Sequence, residues 1–108
     1  MERQTTERAF HSVVYIHQTI LSLKEQGVWI YGTAADAASG LYRTDLTGPA
    51  AIVIGNEGAG MSKLVRESCD VLVGIPLKGR ISSLNASAAA AVMLYEALRQ
   101  RSSTESLE

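Results

Sequence analysis

The sequence predicts an α/β domain built on a mostly parallel sheet with flanking helices. Three observations carry that expectation. Short apolar runs recur along the chain, at Val28-Trp29-Ile30-Tyr31, Ala51-Ile52-Val53-Ile54 and Val71-Leu72-Val73. The first two contain no polar residue, as expected of strands covered on both faces rather than strands with one wet face. Stretches with helical spacing of apolar residues lie between and around them, and alternation of the two periods defines this class.

Each element has its own warrant. The run Val13-Val14-Tyr15-Ile16 reads as a first strand, followed by a helix over residues 18–26 with Ile20, Leu21 and Leu23 apolar and Gly27 at its end. The next strand, 28–31, stops at Gly32. Residues 33–49 contain Asp36, Ser39, Gly40, Asp45, Gly48 and Pro49, a turn-rich composition read as a long connection with a weak helical option over 34–38. The strand 51–54 stops at Gly55. Ser62 is placed to cap a helix through Leu64, Val65 and Ser68. A strand at 71–73 runs into Ile75-Pro76, where proline ends ladder pairing. A last helix is expected over 85–101. Residues 1–101 thus form one domain, and the polar, unpatterned residues 102–108 read as a disordered tail.

Composition narrows the class further. A chain of 108 residues that is 46% hydrophobic has the size and make-up of one folded domain. Small domains leave much surface exposed, so self-association is a reasonable expectation. The single cysteine, Cys69, cannot form an internal disulfide, and no basic start joins an apolar core and a cleavage site. A cytoplasmic protein is expected. No uncharged apolar run approaches the roughly 18 to 20 residues needed to span a bilayer. Ten basic and eleven acidic side chains give a formal charge of -1, without the overall positive excess of a stand-alone nucleic-acid binder. Lys63, Arg66, Lys78 and Arg80 lie in or near two glycine-bearing segments, where solvated charge is the ordinary explanation.

Those two segments carry the chemistry. In Ile54-Gly55-Asn56-Glu57-Gly58-Ala59-Gly60-Met61, glycines follow an apolar strand and precede a helix, so backbone can approach a ligand closely. The order is G-x-x-G-x-G, not the dinucleotide fingerprint, and no Gly-Lys-Ser/Thr follows. Glu57 would repel a phosphate and suits a cationic or hydroxyl-rich ligand better. On these grounds the segment fits a nucleoside-like ligand and a plain turn equally. In Ile75-Pro76-Leu77-Lys78-Gly79-Arg80-Ile81-Ser82-Ser83-Leu84-Asn85-Ala86-Ser87, polar residues crowd the start of a helix. Capping accounts for one or two of Ser83, Asn85 and Ser87, not for the set. The histidines His11 and His17 lack a ligand-like set of Cys, Asp or Glu around them and read as structural, and Asp70 reads as a turn residue. No metal site is encoded.

At these two segments the sequence resembles the SpoU/TrmH methyltransferases. The matching residues are Gly55, Glu57 and Gly60 in one motif and Pro76, Gly79, Ser83, Leu84, Asn85 and Ser87 in the next. Trp29-Ile30-Tyr31-Gly32 and Leu46-Thr47-Gly48-Pro49 are similar to the branch that methylates a guanosine ribose in 23S rRNA. The resemblance implies a trefoil-knotted α/β fold, a homodimer, and transfer of a methyl group from S-adenosylmethionine to an RNA ribose 2'-hydroxyl without metal. It implies cofactor contacts at Thr33, Gly55, Glu57, Gly58, Ile75, Ser83, Leu84 and Asn85. Glu57 and Asn85 become supporting catalytic groups, and Lys78 and Arg80 RNA contacts. The family's first motif, an asparagine followed by an arginine that assists the hydroxyl, has no counterpart in this sequence, for Arg3 and Arg8 lack that setting. The domain is therefore expected to be incomplete at its amino end and inactive alone. The alternative is a non-catalytic module that binds S-adenosylmethionine or RNA.

Overall fold

Gly27 is the first fixed point of the fold. In the computed structural model, which describes residues 15–55, 61–77 and 85–104, helix α1 covers residues 15–25. It closes where Gly27 adopts φ +86, a left-handed torsion that costs glycine nothing. Gly27 N then donates to Lys24 O and Val28 N to Leu23 O, both at 3.0 Å, satisfying carbonyls that the helix end would otherwise leave open. Tyr15 and Ile16, expected in a first strand, are helical instead. Four apolar residues alone do not distinguish the two states, and Ile16, Ile20 and Leu23 are spaced as one helix face, so the period reaches further back than residue 18.

Four strands follow: β1 (Trp29–Thr33), β2 (Ser39–Gly40), β3 (Ala50–Val53) and β4 (Val71–Gly74). Every pairing is parallel and the spatial order is β2-β4-β1-β3. A 3-10 turn, Leu41–Arg43, follows β2, and helices α2 (Lys63–Ser68) and α3 (Ala86–Thr104) complete the described chain. The connection 33–49 thus contains a short strand and a turn of helix that its composition did not announce. No helix forms over 34–38. Helix α3 continues through Thr104, into the segment read as tail.

Side chains alternate across the sheet as parallel strands require. Ile30, Ala51 and Val53 face Ile20 and Leu23 of α1 and Val65 of α2. Tyr31, Ile52, Val71 and Val73 face Met93, Val92 and Ala97 of α3, together with Leu41 and Leu46 from the connection. The sheet is therefore the middle of three layers, as the uninterrupted apolar runs predicted. Trp29 departs from that pattern, 56% exposed at the amino end of β1, beyond the cluster around Tyr31.

Polar residues hold the frame at both ends. Asp70 joins β4 to β1: its N–H donates to Ile30 O, its Oδ2 accepts from Ile30 N, both at 2.8 Å, and Lys24 Nζ lies 3.4 Å from its Oδ1. It is a register clamp at the amino ends of the strands. His17 Nδ1 lies 2.7 Å from Ser68 Oγ, and Ser68 donates its single hydroxyl proton to Leu64 O, so the imidazole is the donor in that pair. Gln100 of α3 accepts from Leu46 N and donates to Thr44 O, while Arg101 donates to Leu46 O and Gly48 O. The connection before β3 is thereby strapped to α3.

Candidate functional site

The register decides where the predicted site residues lie. Gly32 pairs with Val53 and Thr33 with Val73, so Ile54 and Gly55 leave β3 beside the end of β1. Gly74 pairs with Gly40, and Ile75 follows it. Thr33, Gly55 and Ile75 therefore stand at the carboxyl ends of three adjacent strands, each half-buried. With strands about 4.8 Å apart, the three backbones span roughly 10 Å, the scale of a small ligand. This edge is where open α/β sheets bind ligands.

The loop after β1 crosses this edge. Ala34 N donates to Val73 O at 3.0 Å, and the Cα hydrogen side of Gly74 where a Cβ would sit is 3.7 Å from the carbonyls of Ala34, Ala37 and Ser39. Strand β4 thus enters between β1 and β2 with the loop that joins those two strands lying across its end. On the other side, the Met61 side chain packs in the cluster with Ile30 and Val65. Ser62 then caps α2, its Oγ accepting from Val65 N at 3.3 Å, as its position predicted.

Asn85 lies at the start of α3 and is exposed. Its Oδ1 accepts from Ala88 N at 2.8 Å, a cap on the helix. Capping uses the amide oxygen and does not engage the NH2 donors. Glu57, Gly58, Lys78, Arg80, Ser83 and Leu84 lie outside the described residues, as do His11, Arg3 and Arg8.

One pair at this edge was not legible beforehand. Arg66 of α2 donates from one terminal nitrogen to both carboxylate oxygens of Asp36, each at 3.0 Å. That contact holds the Asp36 carboxyl below its usual range. The sequence marks Asp36 as a turn residue and Arg66 as a solvated charge. Thirty positions separate them, and no local signal joins them.

Residues 2–95 match the SpoU rRNA Methylase family. This chain belongs to that family. Among curated relatives, it is 50% identical over 91 residues to 23S rRNA (guanosine-2'-O-)-methyltransferase RlmB of Ralstonia nicotianae, covering 84% of this chain and 36% of that protein. It is 51% identical over 89 residues to the protein of the same name from Vibrio parahaemolyticus, covering 82% and 36%. The chain thus spans little more than a third of these relatives' length. Among solved structures, the SpoU methyltransferase AviRb from Streptomyces viridochromogenes in complex with AdoMet matches at 40% identity and a TM-score of 0.70, over 80% of this chain and 35% of that one. The A. aeolicus TrmH/SpoU tRNA modifying enzyme matches at 38% identity and a TM-score of 0.72, over 80% and 44%. The α/β architecture expected from the sequence is the architecture of the family. Among the described residues, no helix is long and apolar enough to cross a membrane, and no group of His, Cys, Asp and Glu is arranged to hold a metal ion.

Proposed function

We propose that this chain is the S-adenosylmethionine-binding part of an RNA ribose 2'-O-methyltransferase whose substrate is a guanosine of 23S rRNA. The observation that carries the reading is the gathering of Thr33, Gly55 and Ile75 at one sheet edge. The residues suit the ligand. Half-buried Ile75 and Ile54 offer apolar surface for an adenine ring, and strand ends offer backbone donors and acceptors for its edge. Glu57, Gly58, Ser83 and Leu84 complete the contact set in this proposal. The bound cofactor supplies a methyl group on sulfonium sulfur, open to in-line attack by the ribose 2'-oxygen. Asn85, anchored by its cap, orients polar groups through its free NH2, while Glu57 supports the hydroxyl; Lys78 and Arg80 meet RNA phosphates.

The same proposal includes the family's trefoil knot and a homodimer in the cytoplasm. Support for the knot is β4 lying between β1 and β2 with the loop 34–38 across its end. Support for the dimer is the outer face of α3, where Leu94, Tyr95 and Leu98 are 60%, 72% and 57% exposed. With Ala91 they follow helical i, i+3, i+4, i+7 spacing, which forms an apolar stripe suited to a second helix.

Titration calorimetry with S-adenosylhomocysteine, followed by amide exchange, tests the cofactor reading. We expect saturable binding at 1:1 per chain, with protection concentrated at Thr33, Gly55 and Ile75. A folded sample that gives no heat, or protection confined to the amino ends of the strands, refutes it.

A further inference from the structure

Loop 34–38 is held at three points, and each leads to a different part of the proposed site. Its first residue is fixed to β4 by the bond from Ala34 N to Val73 O. Its carbonyls at Ala34 and Ala37 lie over Gly74, the residue before Ile75. Its outer part is tied by Asp36 to Arg66, on the helix that follows the glycine-bearing segment 55–60. The loop itself begins immediately after Thr33. It thus links the carboxyl end of β1, the carboxyl end of β4 and α2.

We propose that the Asp36–Arg66 pair is a positioning clamp for the cofactor site, holding loop 34–38 against α2 so that the ends of β1, β3 and β4 keep a fixed spacing around the ligand. This rests on the cofactor reading above. Neither residue touches the ligand; both act through the backbone they hold. The pair is partly exposed, Arg66 at 41% and Asp36 at 71%, and such pairs contribute little to global stability. Its effect belongs instead to the local order of a loop, where ordering before binding raises affinity by removing a cost of binding.

The physics separates the two readouts. An exposed pair adds little to global stability, but the same small gain spent on ordering the loop before binding changes Kd by a few-fold. Asp36→Asn and Arg66→Gln should each weaken S-adenosylhomocysteine binding by about two- to fivefold, with Tm within about 2 °C of the unmodified chain. The charge-swapped double variant, Asp36→Arg with Arg66→Asp, should regain affinity relative to either single variant. A role in stability alone would move Tm and leave Kd unchanged.

The experiment is calorimetry and thermal unfolding on the unmodified chain, both single variants and the double. Weakened binding at constant Tm, recovered in the swap, supports the clamp. Unchanged Kd in both single variants overturns the clamp and leaves the cofactor reading intact. Absence of binding by the unmodified, folded chain overturns both. If a single variant fails to fold, the pair is a global stabiliser and the proposal is overturned in favour of that role.

Discussion

Among the described glycines, Gly32 leaves the least room for a side chain. It ends the apolar part of β1, and a Cβ added there would lie 2.7 Å from Cys69 Sγ, 2.9 Å from Met61 Cε and 3.3 Å from Leu72 Cδ2. Carbon contacts are comfortable near 3.5 Å or more, so the sulfur of Cys69 must retreat by roughly 0.8 Å and the Met61 methyl by roughly 0.6 Å. The two neighbours respond differently. Met61 ends a flexible chain and swings aside at small cost. Cys69 has one side-chain torsion, caps α2 and holds its thiol 3.4 Å from Val65 O, so it absorbs the strain.

Overpacking of this kind costs about 1–3 kcal/mol. Against it, alanine restricts the unfolded chain more than glycine, which returns about 0.4–1 kcal/mol because Gly32 does not occupy a left-handed conformation. The net expectation for Gly32→Ala, taken at the middle of these ranges, is a loss of about 1.3 kcal/mol, a fall in Tm of about 5–10 °C for a domain of this size. Cys69→Ala removes the atom nearest the new methyl group. The double variant should therefore be less destabilised than the sum of the two single variants, by about 1 kcal/mol. Differential scanning calorimetry on the three variants measures this. A Gly32→Ala chain that melts within 1 °C of the unmodified one, or strictly additive losses, refutes the steric argument.

Two further predictions concern α3. Glu96, 6% exposed, accepts from Arg99 and Gln100, and the Arg99 contact above all lowers its carboxyl to about 2 from the ordinary 4.5. Because the folded value is depressed, its stabilisation is complete above about pH 4.5 and is lost as pH falls towards 2; Glu96→Gln should lower Tm at neutral pH and flatten the dependence of Tm on pH over that window, and a parallel profile would contradict it. Gln100→Ala removes the acceptor for the N–H of Leu46, a residue with 0% exposure, and the donor to Thr44 O. Leaving a buried N–H unpaired costs about 1–3 kcal/mol, so the urea midpoint should fall with an unchanged m value.

How far the sequence could be read depended on the range of the interaction concerned. Strand periods, the glycine that ends α1 and the Ser62 cap are local, and each was legible because one or a few neighbouring residues determine it. The sheet edge that gathers Thr33, Gly55 and Ile75 was legible one step further, since parallel strands in this class put their carboxyl ends on one side. Tyr15 and Ile16 were misread because a four-residue apolar run has no period of its own, and the helix behind it supplies one. β2 was missed because a two-residue strand containing Ser39 and Gly40 carries no strand propensity; its pairing with Val73 and Gly74 makes it a strand.

Asp36, Asp70 and Asn85 show why polar residues resist such reading. All three were singled out as polar groups at element boundaries, two as turn residues and one as a chemical group. Asp70 proves to fix β1 against β4 through both its backbone and its carboxylate, at the end of the sheet away from the proposed site. Asp36 reaches an arginine on another element, beside the site. Asn85 caps its own helix through its amide oxygen, and its NH2 is the part for which the proposal above finds a use. A carboxylate or amide is placed at an element boundary by local backbone needs, but what its remaining lone pairs and protons meet is set by topology. Here the topology lays the loop after β1 across the end of β4 and so brings Asp36 to Arg66, while at the other end of the sheet it brings Asp70 to Ile30; neither meeting has a local signal in the sequence.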